Sequence, residues 1–261
     1  MAIHVSTWDA FVDALTAATA QEIYVDADLD ASDWESSRIN VTGGTIVHGQ
    51  GHSVRNIIFN HSTHLFLGMY GDIEFSDLDF VNVMDSHTGE DDCAFVQSDN
   101  NYNFTFKNCR FQGRFVNLAF KRLRFKQCTF AFANGLYYAL WSGGALICDE
   151  CYFDFGTQTM NHTPLIYAES GSIALNNCYF KGTILATNKV FKATLNNSVV
   201  NVFCAPSSEL FTMCDNAESI SLYNTDRITG TPEGVQNVTG LSDTELKDAE
   251  SVIDTGFPIV T

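Results

Sequence analysis

The stretch Asp85-Ser-His-Thr-Gly-Glu-Asp-Asp92 puts four carboxylates and His87 within eight residues. Such a set has two chemical uses. Asp85, Glu90, Asp91 and Asp92 offer hard oxygen ligands to Ca2+. Asp91 and Asp92 alone offer the paired carboxylates of glycoside hydrolysis. Neither pattern is complete. EF-hand spacing is missing, and a solvated loop on an acidic protein explains the composition as it stands. The expectation is no metal, no cofactor and no full catalytic set, with Asp91 and Asp92 as the carboxylates to follow. Asp26, Asp28, Asp30 and Asp33 form a second acidic run, read as a solvated turn.

Other chemistry-bearing residues are weighed the same way. His48 with His52, and His61 with His64, have helix-like spacing, but on a strand or turn that spacing does not bring two rings to one point. Cys148-x-x-Cys151 lacks the two further ligands of a structural zinc site. Alternation would set its two thiols on opposite faces, so corner packing is expected. Tyr137, Tyr138 and Trp141, in Gly135-Leu-Tyr-Tyr-Ala-Leu-Trp-Ser-Gly-Gly144, offer rings that stack on sugars or anchor an interface. No phosphate-binding Gly-x-x-x-x-Gly-Lys loop, Gly-x-Ser-x-Gly elbow or His-Glu-x-x-His pair occurs.

The elements that must carry these residues repeat. The frame is apolar, any, apolar, any, Asn/Asp/Gln/Glu, small or Cys, any, Phe/Val. Phe104-Thr-Phe106-Lys-Asn108-Cys109-Arg-Phe111 and Leu123-Arg-Phe125-Lys-Gln127-Cys128-Thr-Phe130 fit it fully. The small position recurs at 78, 109, 128, 151, 178, 198 and 225, a mean spacing of 24.5 residues. Alternation inside the unit excludes helical repeats, and the unit is too short for a propeller blade. An all-β fold follows: a single-stranded parallel β-helix of about eight coils. Inward positions then stack into ladders, and the Asn or Asp sits where the chain bends, because these residues tolerate left-handed backbone. Stacked Asn108, Asn177, Asn197 and Asn224 are expected to hydrogen-bond along the rod.

Both rod ends need covers. Ser6-Thr7-Trp8-Asp9 reads as a capping box opening a helix over residues 6–20, and Ser242-Asp243-Thr244-Glu245 as a second one. The predicted organisation is an N-terminal capping helix in 1–21, the β-helix in 22–228, and a linker with a C-terminal capping helix in 229–261.

Charge narrows the partners. Fourteen Lys and Arg face 31 Asp and Glu, a net charge of −17. That balance disfavours nucleic acid and anionic membrane surfaces as partners. No apolar run is long enough to span a bilayer. Met1-Ala2-Ile3-His4 lacks the basic and apolar pattern of a secretory signal, so synthesis in a cytosol and eight reduced cysteines are expected.

The segment Thr45-Ile-Val-His48-Gly49-Gln-Gly51-His-Ser-Val54 and the repeated Asn-Cys-x-Phe units resemble the right-handed parallel β-helix proteins of the pectate-lyase-like superfamily, over roughly residues 22–228. The helix start Ser-Thr-Trp-Asp-Ala-Phe and the ending Gly256-Phe-Pro-Ile259 look like structural proteins of tailed bacteriophages. The resemblance implies a virion surface protein, on the head or as a tail appendage or spike. Its partners would be other virion proteins and a host surface polysaccharide, and a trimer is the assembly common among such spikes. Pectin-hydrolysing relatives carry Asn-Thr-Asp, Asp-Asp, His-Gly and Arg-Ile-Lys in chain order. Here Asn224-Thr-Asp226-Arg-Ile228 has only pieces of that set, and Asp91-Asp92 and His48-Gly49 precede it. A non-enzymatic role is therefore expected, with glycan cleavage, or glycan binding without turnover, as the alternatives.

Overall fold

The alternation seen in the repeats becomes one inward and one outward face per strand. In Asn103–Lys107, Phe104 and Phe106 are fully buried while Lys107 is exposed. In Arg122–Lys126, Leu123 and Phe125 are buried while Arg122, Arg124 and Lys126 are exposed. The computed structural model describes residues 2–223, apart from 35–37, 60–64, 86–91, 95, 99–101, 113, 118–121, 132–139, 143, 159–165, 169–172, 185–190, 194–197, 205–213 and 216.

The strands stack in columns, and every strand pair is parallel. The first column runs Ala2–Val5, Glu22–Val25, Ile46–His48, Ile73–Ser76, Asn103–Lys107, Arg122–Lys126, Ala145–Asp149 and Ile173–Ile184. The second runs Leu29–Asp30, Ser53–Arg55, Asp79–Val81, Arg110–Gln112, Thr129–Ala131 and Tyr152–Gln158. The long strand Ile173–Ile184 joins both columns, and Ser198–Cys204 and Ala217–Tyr223 continue the stack. A third side holds shorter strands, among them Asp92–Ala94, Arg114–Asn117, Leu140–Ser142 and Ile166–Ala168. Among the described residues, each strand finds its partner one turn along the chain and none pairs in a hairpin. The fold is the expected all-β parallel β-helix.

Its core is a stack of rings. Phe106 lies between Phe75 and Phe125 with ring centroids 5.3 and 5.4 Å away and planes 16° and 18° apart. Phe80, Phe111, Phe130 and Phe153 form a second stack, with neighbours 4.9–5.2 Å apart. The two stacks meet edge to face, as at Phe106 and Phe111, 85° apart. Offset stacking within a column and T-shaped contact between columns are the two favourable aromatic geometries.

The bend between the two columns explains the polar and cysteine positions of the frame. Asp77, Asn108, Gln127 and Glu150 all have φ between 49° and 55°, in the left-handed region. The bend therefore uses Gln and Glu as well as Asn and Asp. Side chains bond along the rod here as amide–acid pairs: Asn108 Nδ2 donates to Asp77 Oδ1 at 2.6 Å, and Gln127 Nε2 to Glu150 Oε2 at 2.9 Å. Of the Asn ladder expected, only the Asn108 side chain is described; Asn197, Asn224 and the Asn177 side chain lie outside the described residues.

The left-handed residue breaks the alternation, and this corrects the reading of Cys148 and Cys151. Both are buried, because Glu150 at φ 55° turns the second thiol back toward the core. Cys109, Cys128, Cys151 and Cys178 line the corner as free, buried thiols. Each caps a backbone carbonyl; Cys128 Sγ, for instance, lies 3.4 Å from Phe106 O, and Cys178 Sγ 3.4 Å from Cys148 O. Burial pushes the thiols of Cys109, Cys128 and Cys151 well above the ordinary value and that of Cys148 to about 11. The thiolate is the reactive form. The raised values of those four thiols, and burial of all five including Cys178, should leave these cysteines unlabelled by alkylation of the native chain at pH 8 until denaturant is added. Peptide mass mapping checks this, and rapid native labelling of any of the five would contradict the ladder.

The N-terminal cover is smaller than predicted. The helix spans Trp8–Leu15, not 6–20, and the strand Ala2–Val5 precedes it. Its N-cap is Thr7, whose hydroxyl accepts from the Ala10 amide at 3.3 Å, so the expected Ser6–Asp9 box does not form. It ends at Thr16, whose hydroxyl turns back to donate to Val12 O at 2.9 Å. Trp8, Phe11, Ala14 and Leu15 are buried over the end of the core. The run predicted as an acidic turn also contains the strand Leu29–Asp30, with Leu29 buried. The proposed C-terminal helix lies outside the described residues. Among the described residues, no helix is long and apolar enough to cross a membrane.

Candidate functional site: the outer face of the first column

In-register parallel pairing turns each outward position into a line of side chains along the rod. One line reads His4, Tyr24, His48, then the buried Ser76, with Lys107, Lys126 and Asp149 beyond it. At the N-terminal end it is aromatic. The His4 ring stacks on Tyr24 at 5.2 Å and 16°, and Tyr24 on His48 at 4.6 Å and 26°. Carboxylates frame this stripe. His4 Nδ1 is 2.9 Å from Asp26 Oδ2, His48 Nε2 is 3.3 Å from Glu22 Oε1, and the Tyr24 hydroxyl donates to Glu22 at 3.0 Å. The bond to Glu22 raises the Tyr24 pKa.

The acidic run beside the stripe is ordered, not merely solvated. Asp26 is held below the usual carboxylate range first by His4 and then by Gln50, whose amide donates at 2.8 Å. Asp28 is held down mainly by the Ser53 amide, at 2.9 Å, and also pairs with Arg55. Asp30 is held down by the Asn56 amide and the Ser32 backbone. A depressed native pKa contributes stability that is complete above the ordinary value of 3.8 and lost as pH falls through the lower native value. The urea midpoint should therefore drop as pH falls from about 5 toward 2. Asp28→Asn should flatten that slope, and an unchanged slope would show that these bonds do not hold the coil.

Further along, the same face turns basic. Lys107 Nζ meets Glu74 at 2.7 Å, Arg124 grips Asp149 at 3.1 and 2.7 Å, and at the corner Arg110 Nε meets Asp79 at 2.7 Å. Tyr70 stands 79% exposed at φ 67°, at the turn leading to Ile73–Ser76.

Of the residues singled out in the sequence, Asp85, Asp92 and Trp141 lie on strands outside the first column. Asp85 ends the short strand Met84–Asp85, paired with Ile58–Phe59. Asp92 opens a strand on the third side, in register with Arg114. Trp141 lies on that side too, in register with Val116 and Tyr167. Glu90, Asp91, Tyr137 and Tyr138, with His61 and His64, lie outside the described residues. His48 and His52 do not converge; they contact Glu22 and Asp28 respectively. Among the described residues, no group of three or more His, Cys, Asp or Glu is placed to hold a metal ion.

The fold and this face define a parallel β-helix with a charged, ladder-like outer surface. Residues 2–117 match the family model described as "Putative pectate lyase-like adhesive domain", so that part of the rod is similar to the pectate-lyase-like superfamily. No curated protein matches the chain.

Proposed function

We propose that this chain is a non-enzymatic adhesive β-helix, carried on the surface of a tailed-phage particle and attaching through its outer face to a host surface polymer. The match of residues 2–117 to an adhesive-domain model carries the reading. The lines of outward side chains on the first column support it, because a stiff ladder presents its contacts without an ordering cost on binding. In this reading the chain is made in the bacterial cytoplasm, joins other virion proteins, and acts on the head or in a tail appendage. Assembly as a trimer would multiply the faces available for adhesion, and light scattering measures it.

The test is to add the purified chain to bacterial envelopes and measure both bound protein and released sugar. Saturable binding with no released oligosaccharide is the expected result. Sugar release that is lost on Asp91→Ala or Asp92→Ala would replace this reading with glycan cleavage. Mass spectrometry of purified particles should detect the chain, and its absence there would remove the virion assignment.

A further inference from the structure

Charge is segregated along this chain. Residues 100–148 contain seven Lys and Arg and no Asp or Glu, where the chain's average would place about six acidic residues. The remaining residues carry 31 acidic against seven basic side chains. A uniformly acidic surface would not leave such a gap.

The fold converts the segregation into a row. Arg122, Arg124 and Lys126 are the three outward positions of one strand, and Lys107 stands in register beside Lys126. Alternate residues of a strand are about 6.6 Å apart, and register partners about 4.8 Å. Two of the four are oriented by neighbouring coils, Lys107 by Glu74 and Arg124 by Asp149. Arg122 and Lys126 are exposed and form no ion pair among the described residues. The row is thus a line of cations at the spacing of charges on an extended polyanion.

Its neighbours say which polyanion. The outward positions flanking Arg122, Arg124 and Lys126 are Asn103, Thr105 and Lys107 on one side, and Ala145, Ile147 and the Arg124-paired Asp149 on the other. None carries a ring. Pyranose rings and nucleobases are held by stacking on aromatic side chains, and the described register neighbours of this row offer no such surface. Arg forks suit phosphate oxygens bidentately. The geometry points to a binding row for an acyclic phosphodiester polymer of the polyol-phosphate kind, laid along Arg122–Lys126. This inference rests on the adhesive reading and names its ligand.

The experiment uses the full chain against immobilised poly(glycerol phosphate), with oligothymidylate and polygalacturonate of matched charge as competitors. Three or four phosphates contacted should give a log–log salt slope of about −2 to −3 between about 50 and 200 mM NaCl. Arg122→Gln with Lys126→Gln should bring that slope to about −1 and weaken binding at least about tenfold at low salt. The double variant should melt as the parent does, since both side chains are exposed. Unchanged binding by the variant overturns the row. Equal competition by either comparator overturns the polymer class. Adhesion to envelopes without binding to this polymer refutes the ligand alone, whereas binding to neither refutes the adhesive reading as well.

Discussion

Phe106→Ala should lower the stability of the full chain by about 3–5 kcal/mol, the range for a buried aromatic cut to alanine. The upper part of that range is expected. Phe106 is fully buried, stacked on Phe75 and Phe125 and met edge-on by Phe80 and Phe111. Those rings sit on strands locked in register above and below, so they cannot slide inward to fill the space without breaking ladder hydrogen bonds. The cavity stays open, and its cost adds to the lost transfer energy. Urea denaturation with two probes is the measurement, because a stacked-coil protein can lose cooperativity when one coil is weakened. The change reaches the surface too. Thr105 and Lys107 flank Phe106 on the same strand, so a shifted strand would move one end of the basic row. A loss below about 1 kcal/mol would mean that the ring stack is not close-packed.

Much of this arrangement was legible in the chain because a parallel β-helix writes its register into sequence spacing. Phe75, Phe106 and Phe125 occupy one slot of the frame and one ladder of the structure. The corner thiols followed from their place between a polar residue and Phe. Packing of Cys148 and Cys151 was read correctly, but Cys151 was placed on the opposite face because alternation was carried through a residue whose backbone is left-handed. Such a residue resets which face the next side chain takes. The bend accepted Gln127 and Glu150 as well as Asn108 because the amide–acid bonds along the rod reward any pair with one donor and one acceptor.

The candidate face was less legible, for two physical reasons. The repeat was read from residue 46 onward, yet His4, Tyr24 and His48 already follow it, at steps of 20 and 24 residues. Their frame lacks the Asn-Cys-x-Phe corner, since the helix Trp8–Leu15 replaces a coil's remaining sides and supplies the core contacts itself. The second reason is that net charge hides distribution. A value of −17 argues against anionic partners only if the charge is evenly spread. At a Debye length of about 8–10 Å, a ligand on Lys126 senses its own coil and its neighbours, not the acidic end of the rod.

Cys128→Phe tests the corner from the opposite side and should cost about 1–3 kcal/mol by overpacking. The Cys128 thiol is fully buried, 3.4 Å from Phe106 O and 3.5 Å from Lys126 O. Its stacking neighbours at the corner are the thiols of Cys109 and Cys151, and neither coil has space to yield. The frame's one large residue at this slot shows what space would require. Leu78 fits because Gly49 lies against it: a Cβ on Gly49 would come within 2.6 Å of the Leu78 Cβ and 2.3 Å of Asp77 O. Cys128 has no glycine in that role. Cys128→Ser should cost less than Cys128→Phe, since a hydroxyl fits the slot and finds the same carbonyl acceptors. Equal costs would show that loss of the thiol, not added volume, is what the corner resists. A cost near zero for Cys128→Phe would place this ladder in solvent and shift the register of every strand beside it.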